Sequence, residues 1–215
     1  LSKSINKKTN LVIIANPNSP TGTVIDQKNL LKLIKLCKKF NSYLLIDECY
    51  FGYYSKTIIK YVKSYNNLII SRSLSKIGLA GCRIGYLVAS RNTTKMLYKF
   101  RPFYEISSFS CLVFKSILKN KNILKNYIKE TLIGKTFLIE NFKRLKIEFF
   151  PTNTNFILVK LNSQKMKNKI IKSFAKKHIL VMGEGKLPGG DKILRITLGP
   201  KYYMEKVINV FKNFY

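Results

Sequence analysis

The sequence predicts an α/β fold in which a mostly parallel sheet precedes a smaller α+β domain. Three short apolar runs, Leu11–Ala15, Tyr43–Ile46 and Leu68–Ile70, are typical of strands, and the first suits a strand that is buried on both faces. A polar turn follows each run, and a helical pattern separates the first two. Because strands that alternate with helices form βαβ units, we expect these strands to run parallel.

Residues 1–120 carry the parts of this sheet. After the first strand, Asp26 can cap a helix, and the helix has apolar residues at helical spacing: Leu30, Leu33, Ile34, Cys37 and Phe40. The run Ile84–Ala89 predicts a fourth strand. We therefore assign residues 1–120 to part of a large domain.

Residues 121–215 have the pattern of a smaller α+β domain. Two helices are predicted around the boundary, Ser107–Leu118 and Asn122–Leu145, and the second is long enough to bridge two lobes. The remaining patterns predict strands within Phe149–Leu161, Ile179–Met182 and Leu194–Leu198, and helices at Lys165–Lys177 and Tyr203–Phe214.

The composition limits the classes of protein to which the chain can belong. A hydrophobic content of 46% with 13% aromatic residues excludes a disordered chain, and no apolar run is long enough to predict a membrane span. The net charge is +30, but the lysines are spread along the chain without a zinc finger or an aromatic RNA-binding motif, so we expect no nucleic-acid partner. The four cysteines lack metal-ligand spacing, which predicts free thiols in a reducing cytoplasm and no metal site.

Polar residues cluster where three of the predicted strands end. The clusters are Asn16–Gly22, Asp47–Tyr50 and Ser73–Lys76. Ligands of open α/β sheets bind beyond the carboxyl ends of the strands. The coincidence of three polar clusters at such ends therefore predicts a binding site there.

Lys76 is the candidate for covalent chemistry at this edge. It lies on a short polar turn, and an ε-amine can form an imine with a carbonyl group. Ser73, Ser75 and Arg83, which follows Lys76 by seven residues, provide the hydroxyls and the guanidinium of a phosphate cradle. An aldehyde and a phosphate on one small molecule describe pyridoxal 5′-phosphate, which the sequence therefore predicts as cofactor.

Five segments form a series through almost the whole chain: NPNSPTG (Asn16–Gly22), LLIDECYFGY (Leu44–Tyr53), SRSLSKIGLAGCRIGY (Ser71–Tyr86), TNFILVK (Thr154–Lys160) and LRITLG (Leu194–Gly199). In order and spacing they resemble the pyridoxal-phosphate aminotransferases of class I/II, and the histidinol-phosphate aminotransferase branch in particular. The resemblance implies the fold type I architecture and a homodimer. It also implies a transaminase that moves an amino group between an amino acid or amino-phosphate donor and a 2-oxo acid acceptor.

The resemblance implies a role for each matching residue. Lys76 would form the Schiff base and then act as general base and acid on the substrate α-proton. Asp47 would hold the pyridine nitrogen protonated, and Tyr50 would donate to the 3-oxygen of the ring. The phosphate ligands would be Ser73, Ser75 and Arg83, and Arg195 would bind the substrate carboxylate.

Three features depart from the family pattern. Relatives have Asn directly before Pro-Thr-Gly, where its amide contacts the ring 3-oxygen; here Ser19 stands there and Asn18 precedes it, so either residue could make the contact. Met182 stands where histidinol-phosphate enzymes often have Arg, which leaves the substrate open. The N-terminal segment of the relatives does not precede Asn16, so we expect a fragment with an exposed apolar sheet surface.

Three other functions stay open at this point. A threonine-phosphate decarboxylase-like enzyme would use the same lysine, aspartate and arginine but release carbon dioxide. A basic nucleic-acid-binding module would bind DNA with a steep salt dependence and take up no cofactor. An inactive fragment would catalyse neither reaction.

Overall fold

The computed structural model describes residues 1–120, 122–183 and 190–215. These residues form two units. The first comprises Leu1–Asn18 and Val24–Leu124, and the second comprises Ser19–Thr23 and Lys125–Tyr215. None of the helices in the described ranges combines the length and the apolar character that a membrane span needs.

The first unit is built on a four-stranded sheet with the order β1-β2-β3-β4. Strands β1 (Leu11–Ala15), β2 (Tyr43–Asp47) and β3 (Leu68–Ser73) run parallel, and β4 (Gly85–Ala89) is antiparallel to β3. The prediction of an α/β fold with a mostly parallel sheet is confirmed, with one strand reversed.

Helix α1 (Gln27–Lys39) covers one face of this sheet. The Asp26 side chain accepts a hydrogen bond from the Asn29 backbone N–H at 2.8 Å, so the predicted N-cap is confirmed. The apolar side of α1 packs with the buried side chains of the strands, which are Val12, Leu44, Ile46, Leu68 and Ile70. This cluster is the core of the first unit.

Two further helices follow β4, namely α2 (Arg91–Tyr98) and α3 (Ser108–Lys119). The sequence patterns predict α3 within one residue at each end but do not predict α2. Ser90 begins α2, because its side chain accepts a hydrogen bond from the Thr93 N–H at 3.4 Å. This cap is the local signal for a helix that is too short for a clear apolar period.

The other face of the four-stranded sheet is open to solvent in part. Leu11, Ile13 and Leu87 lie on this face by strand register and are 47%, 65% and 51% exposed. Parallel sheets are usually covered on both faces. The prediction that Leu11–Ala15 is buried on both faces is therefore wrong for the described residues, because no described element covers this side of β1. The exposure agrees with the expected apolar sheet surface.

The second unit contains a three-stranded antiparallel sheet with the order β5-β6-β7. Its strands are β5 (Glu148–Phe150), β6 (Phe156–Lys160) and β7 (Ile193–Thr197). Helix α4 (Asn122–Arg144) precedes these strands, α5 (Gln164–Lys176) lies between β6 and β7, and α6 (Lys201–Phe211) follows β7. Phe142 and Phe174 both pack edge-on against Phe211, at centroid distances of 5.2 and 5.7 Å, and these rings form the centre of the core.

The predicted strand Ile179–Met182 is wrong. Only Met182 pairs with a strand, through a single antiparallel bridge to Arg195. Leu180 is 94% exposed, so the four apolar residues are not the buried run that their sequence indicates. A short apolar run does not by itself specify a strand, because pairing depends on distant residues.

Candidate active site

The carboxyl ends of β1, β2 and β3 lie side by side. The strand register places Ala15 opposite Asp47 and Asp47 opposite Ser71. The Asn16 N–H donates to the Asp47 carbonyl at 2.9 Å, and the Glu48 N–H donates to the Ser71 carbonyl at 2.8 Å. The turns after these three strands therefore begin at one edge of the sheet, as the sequence predicts.

The turn after β1 is held by a buried asparagine. The Asn16 side chain accepts from the Ile25 N–H at 2.7 Å and donates to the Ile25 carbonyl at 3.3 Å. Asn16 is only 4% exposed, so its amide is used to close the loop that follows β1. Asn18 belongs to the first unit and is half-buried, whereas Ser19 belongs to the second unit and is exposed.

The turn after β2 carries a carboxylate and a buried tyrosine. Asp47 Oδ1 accepts a hydrogen bond from the Cys49 N–H at 3.0 Å, which fixes the side chain at the start of the turn. Tyr50 is 2% exposed. Its ring centroid lies 5.9 Å from the Nζ atom of Lys76. The turn after β2 therefore meets the turn after β3 at Lys76.

The environment of Cys49 reports on two of the predicted residues. Burial, together with the Asp47 carboxylate, raises the pKa of the Cys49 thiol to about 11, and the Lys76 ammonium opposes this rise. Both charged groups are thus close enough to act on one sulfur atom. The thiol is protonated at neutral pH, so Cys49 is not a nucleophile there.

Lys76 lies on a short 3-10 turn, Ser75–Ile77, directly after β3. The Tyr53 hydroxyl donates to the Lys76 carbonyl at 2.9 Å, and the Ser75 N–H donates to Ser73 Oγ at 3.1 Å. Gly78 ends the turn with a φ of +98°, a left-handed conformation that favours glycine. These contacts fix the backbone on which the lysine side chain is carried.

Arg83 returns to the same neighbourhood through the β3–β4 connection. The Leu74 N–H donates to the Ile84 carbonyl at 3.0 Å, and Ser73 is paired with Gly85. Ser73 and Arg83 line one cavity of about 630 Å³. Two of the three predicted phosphate ligands are therefore brought together at one cavity wall.

Arg195 lies on β7 in the second unit. Its guanidinium stacks 3.9 Å from the ring centroid of Phe156, and its Nη1 atom lies 4.0 Å from the sulfur of Met182. The two backbones also exchange hydrogen bonds, from the Met182 N–H to the Arg195 carbonyl at 3.2 Å and from the Arg195 N–H to the Met182 carbonyl at 2.8 Å. These contacts hold the guanidinium at a fixed place on the strand.

Three of the predicted cations have no acidic partner among the residues that the structure describes. Within residues 1–120, 122–183 and 190–215, no carboxylate lies within ion-pair distance of Lys76, Arg83 or Arg195. Among the described residues, Arg195 therefore lacks the surface ion pair that is common for an arginine on a strand. Cations without a carboxylate partner are suited to anionic ligands.

The sequence patterns do not reveal a buried ion pair beside the site. Glu48 follows Asp47 directly, is 5% exposed, and pairs with Arg72 at 2.8 Å. The signal that could have found this pair is the alternation of side chains along β2 and β3, which places Glu48 and Arg72 on the face opposite to Asp47. A second cavity, of about 670 Å³ beside α4 and Lys201, contains none of the predicted site residues.

Comparison with known proteins finds similar chains. A histidinol-phosphate aminotransferase from Thermoanaerobacter sp. (strain X514) is 35% identical over 204 residues, which are 94% of this chain and 56% of the relative. The chain thus spans little more than half the length of this relative.

Solved structures of known proteins are also similar in fold. A putative histidinol-phosphate aminotransferase from Erwinia carotovora atroseptica matches with a TM-score of 0.83 at 22% identity, over 96% of this chain and 60% of that one. A histidinol-phosphate aminotransferase from Sinorhizobium meliloti, in complex with pyridoxal-5′-phosphate, has a TM-score of 0.77 at 22% identity. The match covers 95% of this chain and 58% of that one. An L-threonine-O-3-phosphate decarboxylase from Porphyromonas gingivalis has a TM-score of 0.80 at 21% identity, over 99% and 66%.

The family assignment does not depend on any single relative. Residues 1–211 match the family described as aminotransferase class I and II. This match covers both units and all five sequence motifs. The chain belongs to the aminotransferase class I and II family.

Proposed function

We propose that the chain is the lysine-bearing part of a pyridoxal-phosphate-dependent aminotransferase that moves an amino group between an amino acid or amino-phosphate and a 2-oxo acid. One observation carries the proposal. The Lys76 amine lies beside the buried Tyr50 ring, and the Asp47 carboxylate begins the same turn as Tyr50. This is the combination of groups that the family membership leads us to expect at its cofactor site.

The donor set in the first unit fits pyridoxal phosphate. The cofactor presents an aldehyde, a basic ring nitrogen, a ring oxygen and a phosphate dianion. The chain offers an amine, a carboxylate, a phenol and a phosphate-binding group, in the residues Lys76, Asp47, Tyr50, Ser73, Ser75 and Arg83. Among the described residues, the guanidinium of Arg83 donates one hydrogen bond of 3.3 Å, to the Ala80 carbonyl. Its remaining N–H groups can bind a phosphate through two parallel hydrogen bonds.

Each of these residues then has one task. Lys76 would hold the cofactor covalently, Asp47 its ring nitrogen, Tyr50 its 3-oxygen, and the cradle of Ser73, Ser75 and Arg83 its phosphate. When bound, pyridoxal phosphate supplies an electron sink for the substrate α-carbon. The ε-amine of Lys76 would take the substrate α-proton as general base and donate a proton as general acid.

Arg195 would bind the substrate carboxylate. Its guanidinium is held by the Phe156 ring and has no described carboxylate partner. Stacking leaves the edge of the guanidinium, which carries the N–H donors, available to a planar carboxylate. The ring 3-oxygen would receive a second contact from Asn18 or Ser19.

A decarboxylase is the second candidate, because the fold is equally similar to that of the Porphyromonas gingivalis decarboxylase. Both reactions use an electron sink at the substrate α-carbon. They differ in the bond that is broken, which is a C–H bond in transamination and a C–C bond in decarboxylation. Trapping of carbon dioxide, against appearance of a new 2-oxo acid, separates the two.

We also propose that the complete protein is a cytoplasmic homodimer, with residues 1–120 in its large domain and residues 121–215 in its small one. Residues 98–112 support the dimer, since Phe100, Phe103, Tyr104 and Phe109 are between 75% and 92% exposed. Exposed aromatic clusters of this kind mark protein interfaces. Native mass spectrometry of the complete gene product tests the dimer.

The experiment that tests the proposed reaction uses the complete gene product with pyridoxal phosphate and a panel of amino donors and 2-oxo acids. Lys76→Ala is expected to abolish formation of the new oxo acid. Lys56→Ala, which removes an exposed lysine of the same unit, is the matched control and is expected to retain full turnover. Equal transamination by both variants would contradict the proposal.

A further inference from the structure

Glu48, Arg72 and Thr57 form a buried polar cluster that the proposed reaction does not use. Glu48 Oε2 accepts hydrogen bonds from Arg72 Nε at 3.0 Å and from Arg72 Nη2 at 2.8 Å. The Thr57 hydroxyl lies 2.7 and 2.8 Å from the two Glu48 oxygens, and Arg72 Nη2 also reaches it at 3.1 Å. Nearly every polar atom of the cluster thus has a partner inside the first unit.

The cluster joins the two segments that carry the candidate cofactor residues. Glu48 is next to Asp47 at the end of β2, and Arg72 is next to Ser73 and four residues before Lys76. Because side chains alternate along a strand, the pair lies on the sheet face opposite to Asp47. A bond across that face fixes the strand ends without occupying the face on which Asp47 lies.

A second link runs between the same two segments. The Tyr53 hydroxyl donates to the Lys76 carbonyl at 2.9 Å, and the guanidinium of Arg72 stacks 4.7 Å from the Phe51 ring centroid. Both aromatic residues belong to the turn that begins at Asp47. The turn is therefore tied to the lysine-bearing segment at its start and at its end.

The hydrogen bonds of the cluster favour the charged form of the Arg72 guanidinium. Burial lowers the pKa of the Arg72 guanidinium, but its hydrogen bonds to Tyr86 and Glu48 outweigh burial and raise it. A buried ion pair of this kind contributes little net stability, since apolar residues of similar volume often serve as well. Stability alone therefore does not account for a charged cluster at this place.

We propose that the Glu48–Arg72–Thr57 cluster is a positioning clamp that sets the Asp47–Tyr50 turn against Lys76. The inference rests on the proposed function of Asp47, Tyr50 and Lys76 at the cofactor. The clamp residues touch none of the reacting atoms and act through the backbone of the two strand ends. Loss of the clamp would leave the phosphate cradle in place but misplace the ring-binding turn.

The test compares two ligands in the complete gene product. Pyridoxal phosphate engages both the turn and the cradle, whereas inorganic phosphate, measured as a competitor, engages the cradle alone. The variant Glu48→Leu/Arg72→Met replaces the clamp with apolar side chains. We expect its dissociation constant for pyridoxal phosphate to rise about tenfold while its inhibition constant for phosphate stays within about twofold, with no fall in the thermal midpoint.

Two further variants and a control define the result. Thr57→Val removes one hydroxyl at nearly constant volume and is expected to raise the dissociation constant for pyridoxal phosphate about threefold. Arg72→Lys keeps the positive charge but loses the paired N–H donors of the guanidinium. Its dissociation constant for pyridoxal phosphate is expected to lie between those of the wild type and the double variant. Glu148→Leu/Lys160→Met removes an exposed pair of the second unit and should leave both constants unchanged.

The outcomes separate positioning from general destabilisation. The proposed clamp would be contradicted if the double variant bound both ligands more weakly to the same extent, or if its affinity for neither ligand changed. If the double variant does not fold, unchanged binding of pyridoxal phosphate by Thr57→Val overturns it instead. If the wild-type protein takes up no pyridoxal phosphate, the proposed function fails. The clamp is then tested by hydrogen exchange at the Cys49 and Phe51 amides. Faster exchange in Thr57→Val than in the wild type supports the clamp, and equal exchange refutes it.

Discussion

The two sheets of this chain differ in how completely the described residues cover them. In the second unit, every residue of Phe156–Val159 on the central strand β6 is 3% exposed or less, so both faces of this strand are buried. In the first unit, one face is sealed by α1, while Leu11 and Ile13 on the other are largely exposed. Most of the candidate site residues belong to the less covered sheet.

The difference shows what each sheet contributes. The antiparallel sheet is a packed support whose one predicted site residue, Arg195, is held by an aromatic ring. The mixed sheet ends in turns whose side chains are held by hydrogen bonds and one buried ion pair. Packing therefore fixes the site residue of the antiparallel sheet, and polar contacts fix the site residues of the mixed sheet.

The largest expected difference is between a buried residue of the second unit and an exposed strand residue of the first. Phe174→Ala removes a fully buried ring and should lower the free energy of unfolding by about 3–5 kcal/mol. Ile13→Ala removes a side chain that is 65% exposed and should change it by no more than about 0.5 kcal/mol. Denaturant unfolding of both variants measures this, and similar losses would show that the exposed face is covered in solution.

The next comparison is between the buried and the exposed ion pair. Glu48→Gln leaves the Arg72 guanidinium without its charge partner in a buried site and should cost about 3 kcal/mol. Glu148→Gln breaks the exposed pair with Lys160 and should cost about 0–1 kcal/mol. Thermal and denaturant unfolding provide both values. Equal costs would mean that the Glu48 site is hydrated rather than buried.

Two glycines allow a comparison between a closely packed position and an open one. A Cβ on Gly134 in α4 would overlap the Gly199 carbonyl oxygen, so Gly134→Ala should destabilise the second unit by about 1–3 kcal/mol, despite the better helix propensity of alanine. A Cβ on Gly81 meets nothing within 4 Å, and Gly81→Ala should be neutral. A stabilising Gly134→Ala would contradict the close approach of the two backbones.

The smallest expected effect concerns the acidity of Cys49. Burial and the Asp47 carboxylate raise its pKa to about 11, so its alkylation rate should keep rising with pH through pH 10 as the thiolate forms. Asp47→Asn removes the charge that opposes the thiolate, and should shift this rise to lower pH. Mass spectrometry of iodoacetamide-treated protein measures it. If the alkylation rate of Asp47→Asn rose over the same pH range as that of the wild type, the Asp47 carboxylate would not act on the Cys49 sulfur.

The sequence predicts those features that depend on local pattern. The strands β1, β2 and β3 follow from apolar runs, and α1 from its stripe and its Asp26 cap. The segment Ile179–Met182 was predicted wrongly because strand formation needs a partner, which only Met182 finds in Arg195. The roles of Lys76 and Asp47 stay predictions, supported by the contacts around them.

The Glu48–Arg72 pair shows why other features lie beyond sequence patterns. Its partners are separated by more than twenty residues and lie in two different motifs, Leu44–Tyr53 and Ser71–Tyr86. Only the parallel register of β2 and β3 brings them together. Non-local pairing of this kind is a property of the fold rather than of any one segment.

The covalent link between Lys76 and the cofactor can be tested by reducing the complete gene product with borohydride in the presence of pyridoxal phosphate, followed by peptide mapping. Reduction makes the bond between the cofactor and its lysine permanent. We expect one modified peptide, with the pyridoxyl group on Lys76, and no such peptide from Lys76→Ala. A label on another lysine, or no label on the wild-type protein, would contradict it.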